Sequence, residues 1–245
     1  MSKRTPRTDQ IIDCACVIHG TGYEWLYVER LYNMLVKHIP QGIRFHVYTE
    51  HDRSVPPHMT KHILTEWEGI AGPKKSWWYK MQLFNPAHIT GNLLYFDLDT
   101  VIVRDLSWIP KLSTDYFWGI RDFKYLQRPD YSGLNSSTMW WNVAKFSHIW
   151  YDFEKLNIKD ITRRHQGDQD YITRVLTVNE RRYFESQYFE SYRWQSLDGG
   201  YDFPRRKFKQ PGSGFKISNE TAVVVFHGLP KPHQIKNAEI RELWK

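Results

Sequence analysis

The opening of the chain constrains its fold most. Residues 11–18 (IIDCACVI) form a short apolar run with a β-branched bias, which reads as a buried strand. His19, Gly20, Thr21 and Gly22 follow as a turn. Tyr27, Leu31, Met34, Leu35 and His38 then recur at helical spacing until Pro40 and Gly42 stop the pattern. Residues 45–49 read as a second strand. Strand, helix and strand in that order begin a parallel sheet with crossover helices. The pattern continues with a strand at 62–65, a helix at 77–84 ending near Asn85-Pro86, and a strand at 92–96.

Beyond residue 100 the texture changes. Short strand-like runs lie at 101–103, 116–120 and 138–142, and helices are expected at 146–156 and 168–176. Residues 186–213 are rich in Gly, Pro, aromatic and basic side chains and lack periodicity. A loop that long in a compact domain is usually functional or mobile. A strand at 222–226, a loop at 227–233 and a short terminal helix close the chain. There is no internal repeat and no linker. The expectation is one α/β domain over 11–245 behind a loose arm at 1–10. Residues 11–103 would form a nucleotide-binding half and 104–245 a half for sugar and acceptor.

Composition narrows the class. Hydrophobic residues at 41% and charged residues at 25% exclude wholesale disorder. Aromatic residues at 16% suit either a ring-lined pocket or a core of large side chains. The net charge of +7 favours an anionic partner, although the charge is spread along the chain except at Arg205, Arg206, Lys207 and Lys209. Cys14 and Cys16 fall on one face of a strand, too poorly placed to bond each other, which fits a reducing compartment. Residues 1–10 hold no apolar signal segment, and no apolar run approaches the ~20 residues of a bilayer span. A cytoplasmic protein is expected, with a basic face able to rest peripherally on an anionic membrane.

Two strand ends carry the clearest chemistry. Residues 93–99 (LLYFDLD) are an apolar strand that stops in Asp97 and Asp99. Residues two apart point to the same side, and two carboxylates there repel unless a cation such as Mg²⁺ or Mn²⁺ sits between them. A solvated pair capping a strand would look the same. Residues 222–233 (AVVVFHGLPKPH) are a second buried strand ending in His227, with Gly228 allowing close backbone approach and Lys231 suited to a phosphate. A lone His there more often just ends a strand. Residues 166–170 (QGDQD) open a helix, where Asp168 reads as an N-cap. Residues 76–84 (SWWYKMQLF) bring Lys80 among rings, and 134–141 (LNSSTMWW) lead polar groups into an aromatic strand.

In this order the segments resemble the glycogenin-like (family 8) retaining glycosyltransferases, which have the GT-A fold: an α/β Rossmann-like domain with a central mixed, mainly parallel sheet. The resemblance spans about residues 11–233. It implies that Asp97 and Asp99 bind Mn²⁺ (or Mg²⁺) with His227 as the third ligand, and that Leu98 lies in the same donor-binding segment. Gly228 and Lys231 would hold the donor diphosphate. Lys80 would reach the donor sugar, Asn135 and Ser136 would line its pocket, and Asp168 and Gln169 would face the reacting carbon. The loop with His19, Gly20, Thr21 and Tyr23 would contact uridine. The chain departs from the family where Gly228 directly follows His227, where His233 replaces a Trp, and where His165 replaces an Asp. A UDP-sugar donor and a hydroxyl acceptor on a glycan or glycolipid are the implied partners.

Two other classes remain. Asp97-Leu98-Asp99-Thr100 also resembles the first motif of haloacid dehalogenase-type phosphatases, but that family's Thr comes one residue later and its motif opens the domain. A nucleic-acid-binding module could use the basic cluster and the aromatic residues around 183–194. Carboxylates at the strand ends would repel a phosphate backbone, so no nucleic-acid partner is expected.

Overall fold

A computed structural model of the chain describes residues 11–70, 75–196, 201–202, 204–205, 207–208 and 214–245. The first half runs β1 (Ile12–Val17), α1 (Leu26–His38), β2 (Ile43–Thr49), β3 (Thr60–Ile63), a 3₁₀ helix (Ser76–Phe84), β4 (Asn92–Phe96) and β5 (Thr100–Ile102). The second half runs β6 (Phe117–Arg121), β7 (Leu134–Asn142), α2 (His148–Glu154), α3 (Ile158–Arg164), α4 (Asp168–Val175), β8 (Arg181–Tyr183), β9 (Phe189–Ser191), α5 (Tyr192–Gln195), β10 (Tyr201–Asp202), β11 (Lys207–Phe208), β12 (Val223–Val225) and α6 (Ala238–Leu243).

The central sheet has seven strands in the order β3-β2-β1-β4-β7-β6-β8. The first four are mutually parallel, β7 is antiparallel to both neighbours, and β8 is parallel to β6. A smaller sheet, β5-β12-β9, stands beside it. The α/β class with a mixed, mainly parallel sheet is therefore as the sequence implied.

Strand alternation divides the interior into two cores. Cys14 and Cys16 face the core under α1, while Ala15 between them faces the other. Both cysteines are buried and unpaired, and burial pushes their thiols up. The stripe on α1 (Tyr27, Val28, Leu31, Met34, Leu35) is the buried one. The aromatic excess fills both cores, and in the second Trp78, Tyr79, Phe84, Phe117, Trp141 and Phe146 are at most 1% exposed. Each such ring contributes about 1.5–3 kcal/mol by leaving water.

Several elements differ from expectation. The helix expected at 77–84 is 3₁₀, and residues 78–84 are buried all round, so there is no polar stripe to give an α period. β3 starts at Thr60 rather than 62, and β7 starts at Leu134 rather than 138, so Asn135 and Ser136 are strand residues. The helix expected at 146–156 is α2, ending at Glu154, with α3 beginning at Ile158. The segment 186–213 is not a plain loop. It contains β9, α5 and the β10–β11 hairpin among its described residues. Phe184, Phe189, Tyr192 and Trp194 are buried, so they do not form the stacking surface a nucleic-acid module would need. Arg205 is exposed, while Arg206, Lys209 and the arm at 1–10 lie outside the described residues. Among those described, no helix is long and apolar enough to cross a membrane.

Candidate active site

Parallel strands aim their carboxyl ends the same way, and ligands collect there in open α/β sheets. β4 stops because the chain turns. The Asp97 N–H donates to the Ser137 carbonyl (2.8 Å), and Thr100 Oγ1 donates to the Asp97 carbonyl (2.8 Å). Asp97, Leu98 and Asp99 thus form the corner where the chain leaves the central sheet for β5. β12 pairs antiparallel with β5, with Val225 opposite Thr100, and the Phe226 N–H donates to the Asp99 carbonyl (3.2 Å). That pairing delivers His227 to the corner from more than a hundred residues away along the chain.

The corner borders a cleft of about 490 Å³, within the usual range for small-molecule sites of roughly 300–1,000 Å³. The first loop contributes His19, Gly22 and Tyr23. The corner contributes Asp97, Leu98 and Asp99. β7 contributes Asn135, Ser136 and Ser137, and α4 contributes Asp168 and Gln169. Lys80, His227, Gly228 and Lys231 complete the expected set. Gly20 and Thr21 sit in the same loop but are not part of this wall. A second cavity of about 270 Å³ adjoins across Trp77, Asp168 and Gln169.

Lys80 organises the inner end. Its Nζ lies 2.8 Å from Asp97 Oδ1 and 3.2 Å from Asp168 Oδ2, and donates to Ser136 Oγ (3.1 Å). Ser136 in turn donates to Asp168 Oδ2 (2.6 Å), and the Tyr95 hydroxyl donates to Asp97 Oδ1 (2.7 Å). Burial opposes charge on Asp97, but Lys80 and these hydrogen bonds hold its carboxyl below the usual range. Burial also opposes charge on Lys80, and the two carboxylates outweigh it and keep the ammonium protonated. Asp168 does not cap its helix. Gly167 is the N-cap residue, and the Asp168 carboxylate is drawn to Ser136 and Lys80 instead. The Gln169 amide donates to Asp122 Oδ2 (3.1 Å), which fixes its direction.

Lys231 organises the outer end. Its Nζ lies 2.5 Å from Asp99 Oδ2 and 2.5 Å from the Tyr23 hydroxyl, which donates to the same Asp99 oxygen (2.9 Å). Burial and the nearby Asp97 charge push the Asp99 carboxyl up, against the pull of Lys231.

The donor types at the corner fit a divalent cation. Two carboxylates share one wall with His227, whose Nε2 is buried without a hydrogen-bond partner. Burial, with Arg193, Lys231 and Lys80 nearby, lowers that imidazole from 6.5 to about 4 despite Asp97, so it is the neutral form that can ligate. Among the described residues no three such side chains are closed around one point. The carboxylates rest on the two lysines, and the His227 ring lies edge-on to Phe123 at 5.3 Å.

Sequence reasoning missed the groups that fix the first loop. Glu50, directly after β2, accepts from the Gly20 N–H (2.9 Å), from Thr49 Oγ1 (2.6 Å) and from Arg53 Nε (3.0 Å) and NH2 (2.7 Å). Arg53 also donates to the Gly20 carbonyl (2.7 Å). An acid at the end of an apolar strand was a readable signal, the same one that marks Asp97. Tyr95, Ser137 and the 41%-exposed Trp77 were missed as parts of the wall as well.

No family model and no curated protein matches the chain in sequence. In fold it is similar to the galactosyltransferase LgtC in complex with donor and acceptor sugar analogues, at a TM-score of 0.66 and 14% identity over 95% of each chain. It is also similar to the bifunctional glycosyltransferase WbbM (TM-score 0.62, 10% identity, 98% of this chain and 50% of that one). A third is the apo form of the glycosyltransferase GlyE of Streptococcus pneumoniae TIGR4 (TM-score 0.61, 14% identity, 96% of this chain and 59% of that one). The chain has the GT-A fold of these proteins.

Proposed function

We propose that this chain is a glycosyltransferase that moves a sugar from a nucleoside-diphosphate donor, a UDP-sugar, to a hydroxyl of a glycan or glycolipid acceptor with retention of configuration. One observation carries the reading. In a glycosyltransferase fold, Asp97, Asp99 and Asp168 meet Lys80 and Lys231 across a cleft of about 490 Å³ at the carboxyl end of β4. Charge so concentrated, with both signs aimed into one space, suits a substrate that carries its own charge at one end and hydroxyls at the other.

Each residue has a task in this reading. The first loop, with His19 and Tyr23, takes the nucleoside, and Glu50 with Arg53 holds that loop in place. Lys231 and the Gly228 backbone take the diphosphate. Lys80 bridges Asp97 and Asp168, beside Asn135 and Ser136, where the sugar hydroxyls lie. Gln169, steered by Asp122, faces the anomeric carbon. Asp97, Asp99 and His227 would hold Mn²⁺ or Mg²⁺, which when bound neutralises charge on the diphosphate. The bond from the anomeric carbon to the diphosphate oxygen breaks with its electron pair staying on that oxygen. The acceptor oxygen bonds to the carbon, and its proton passes to the released diphosphate. The cavity beyond Trp77 gives the acceptor a route to that carbon.

Incubating the protein with UDP-, GDP- and TDP-sugars and Mn²⁺ and following nucleotide release tests the reading. Release from a UDP-sugar, with the donor's anomeric configuration kept in the product, is expected. Silence across the whole panel would refute it. Asp97-dependent phosphate release from p-nitrophenyl phosphate would favour the phosphatase, which the fold likeness does not.

A further inference from the structure

The two lysines of the cleft are anchored differently. Lys80 is 7% exposed, projects from a buried helix, and is shared by two carboxylates and a hydroxyl. Lys231 reaches Asp99 from the loop between β12 and α6 with its side chain alone. That loop is held by other means. Arg193 donates to the His227 carbonyl (2.7 Å), and the Lys231 N–H donates to Gln234 Oε1 (2.9 Å). Gly228 sits at φ +65°, where an added Cβ would approach the Arg193 guanidinium at 3.1 Å. The Lys231 ammonium can therefore leave Asp99 while the loop backbone stays where it is.

Charge decides when it leaves. Three carboxylates facing two ammonium groups leave one net negative charge in the cleft. A dication arriving alone would have to displace Lys231 from Asp99 and leave that ammonium unpaired in a partly desolvated space, which is costly. A diphosphate arriving alone would add its charge beside Asp99. Arriving together, the dication takes the carboxylate and the diphosphate takes the ammonium, so that every charge ends beside an opposite one.

We infer that Lys231 is an exchangeable counter-ion for Asp99, handed over to the donor diphosphate as a dication takes its place, so that cation and nucleotide bind as a coupled pair. Tyr23 lies within hydrogen-bond reach of both Lys231 and Asp99 and holds the pair ready. The inference rests on the donor class proposed above. By linkage, each ligand must raise the other's affinity by the same factor.

The test is Mn²⁺ binding by electron paramagnetic resonance on the full chain, with and without UDP and with no sugar acceptor present. In the wild-type protein UDP should tighten Mn²⁺ binding by roughly 5- to 150-fold, the usual span of coupling between sites. In Lys231→Gln, Mn²⁺ alone should bind more tightly than to the wild type, and the gain from UDP should shrink. Lys231→Arg should restore most of the coupling. Wild-type Mn²⁺ affinity that ignores UDP would overturn the inference, as would a folded Lys231→Gln that binds Mn²⁺ no more tightly. If that variant does not fold, Lys231→Met is measured in its place, with the same expected and overturning results. UDP bound tightly but without coupling sinks only this inference, whereas no UDP binding under any condition sinks the donor reading as well.

Discussion

Two polar clusters are built into the same sheet, and they are built in opposite ways. At the corner after β4, acids and ammonium groups line a cleft, and buried ring nitrogens of His19 and His227 find no hydrogen-bond partner. Towards the outer strands, Asp13, His46 and His62 form a line across β1, β2 and β3. His46 Nε2 lies 3.0 Å from Asp13 Oδ1, and its Nδ1 lies 2.9 Å from His62 Nε2. Tyr48 stacks on His62 at 4.5 Å, and His88 meets it edge-on at 5.3 Å. His46 at the centre of the second cluster has both ring nitrogens paired by the chain itself, whereas His227 borders the cleft with a buried ring nitrogen left over. Three histidines and an acid meet in the second cluster, yet it is the spare capacity of the first that points to a ligand.

The comparison can be broken from either side. The largest effect is expected for Lys80→Met, which strands two buried carboxylates. Loss of one partner from a buried ionic network costs about 3–5 kcal/mol, measurable by denaturant unfolding, and transfer should vanish with it. A stability change too small to detect would mean that water already solvates Asp97 and Asp168. Asp99→Asn should cut metal-dependent nucleotide release by about 10²–10³-fold, as loss of one transition-state-stabilising group does, with the fold kept by circular dichroism. Undiminished release would remove Asp99 from the site.

Smaller effects sharpen the contrast through pH. Glu50 is opposed by burial, yet hydrogen bonds from Arg53, Thr49 and Gly20 lower its carboxyl from 4.5 to about 2. A lowered acid stabilises the fold fully above its unfolded value and loses that contribution as pH falls towards the folded one. Unfolding curves of Glu50→Gln should therefore lack the decline that the wild type shows between about pH 4.5 and 2. UDP affinity should weaken as well, because the first loop loses its clamp. His62 is lowered from 6.5 to about 4, by burial first and then by the His46 and His88 charges. A lowered imidazole leaves stability intact above 6.5 and erodes it as pH falls towards 4. His62→Gln should reduce that erosion and leave nucleotide release at neutral pH unchanged. Abolished release would show that the two clusters are not separate.

What the sequence revealed followed from local pattern. The apolar runs of β1, β2, β4 and β12 and the stripe on α1 are short-range signals, and each marks a real element near its expected bounds. The carboxylates after β4 and the imidazole after β12 were visible for the same reason. Failures came where burial erased the pattern or where partners were distant. Residues 78–84 have no exposed face, so an α period and a 3₁₀ helix could not be told apart. Asn135, Ser136 and Ser137 read as loop because they are polar, although they are at most 5% exposed inside β7. Asp168 looked like an N-cap because only its own segment was considered, and Ser136 and Lys80 compete for it across the fold. The pairing of β12 with β5, which brings His227 to Asp99, is a long-range contact that no local window contains.

The most direct test is a crystal grown with UDP and Mn²⁺, measured for the anomalous scattering of manganese. The account predicts one strong peak among Asp97, Asp99 and His227, with the nucleotide diphosphate beside it, the Lys231 ammonium moved from Asp99 to a phosphate oxygen, and Lys80 still on Asp97 and Asp168. Nucleotide bound anywhere else, or a cleft in which Asp99 keeps its lysine and holds no manganese, would contradict it.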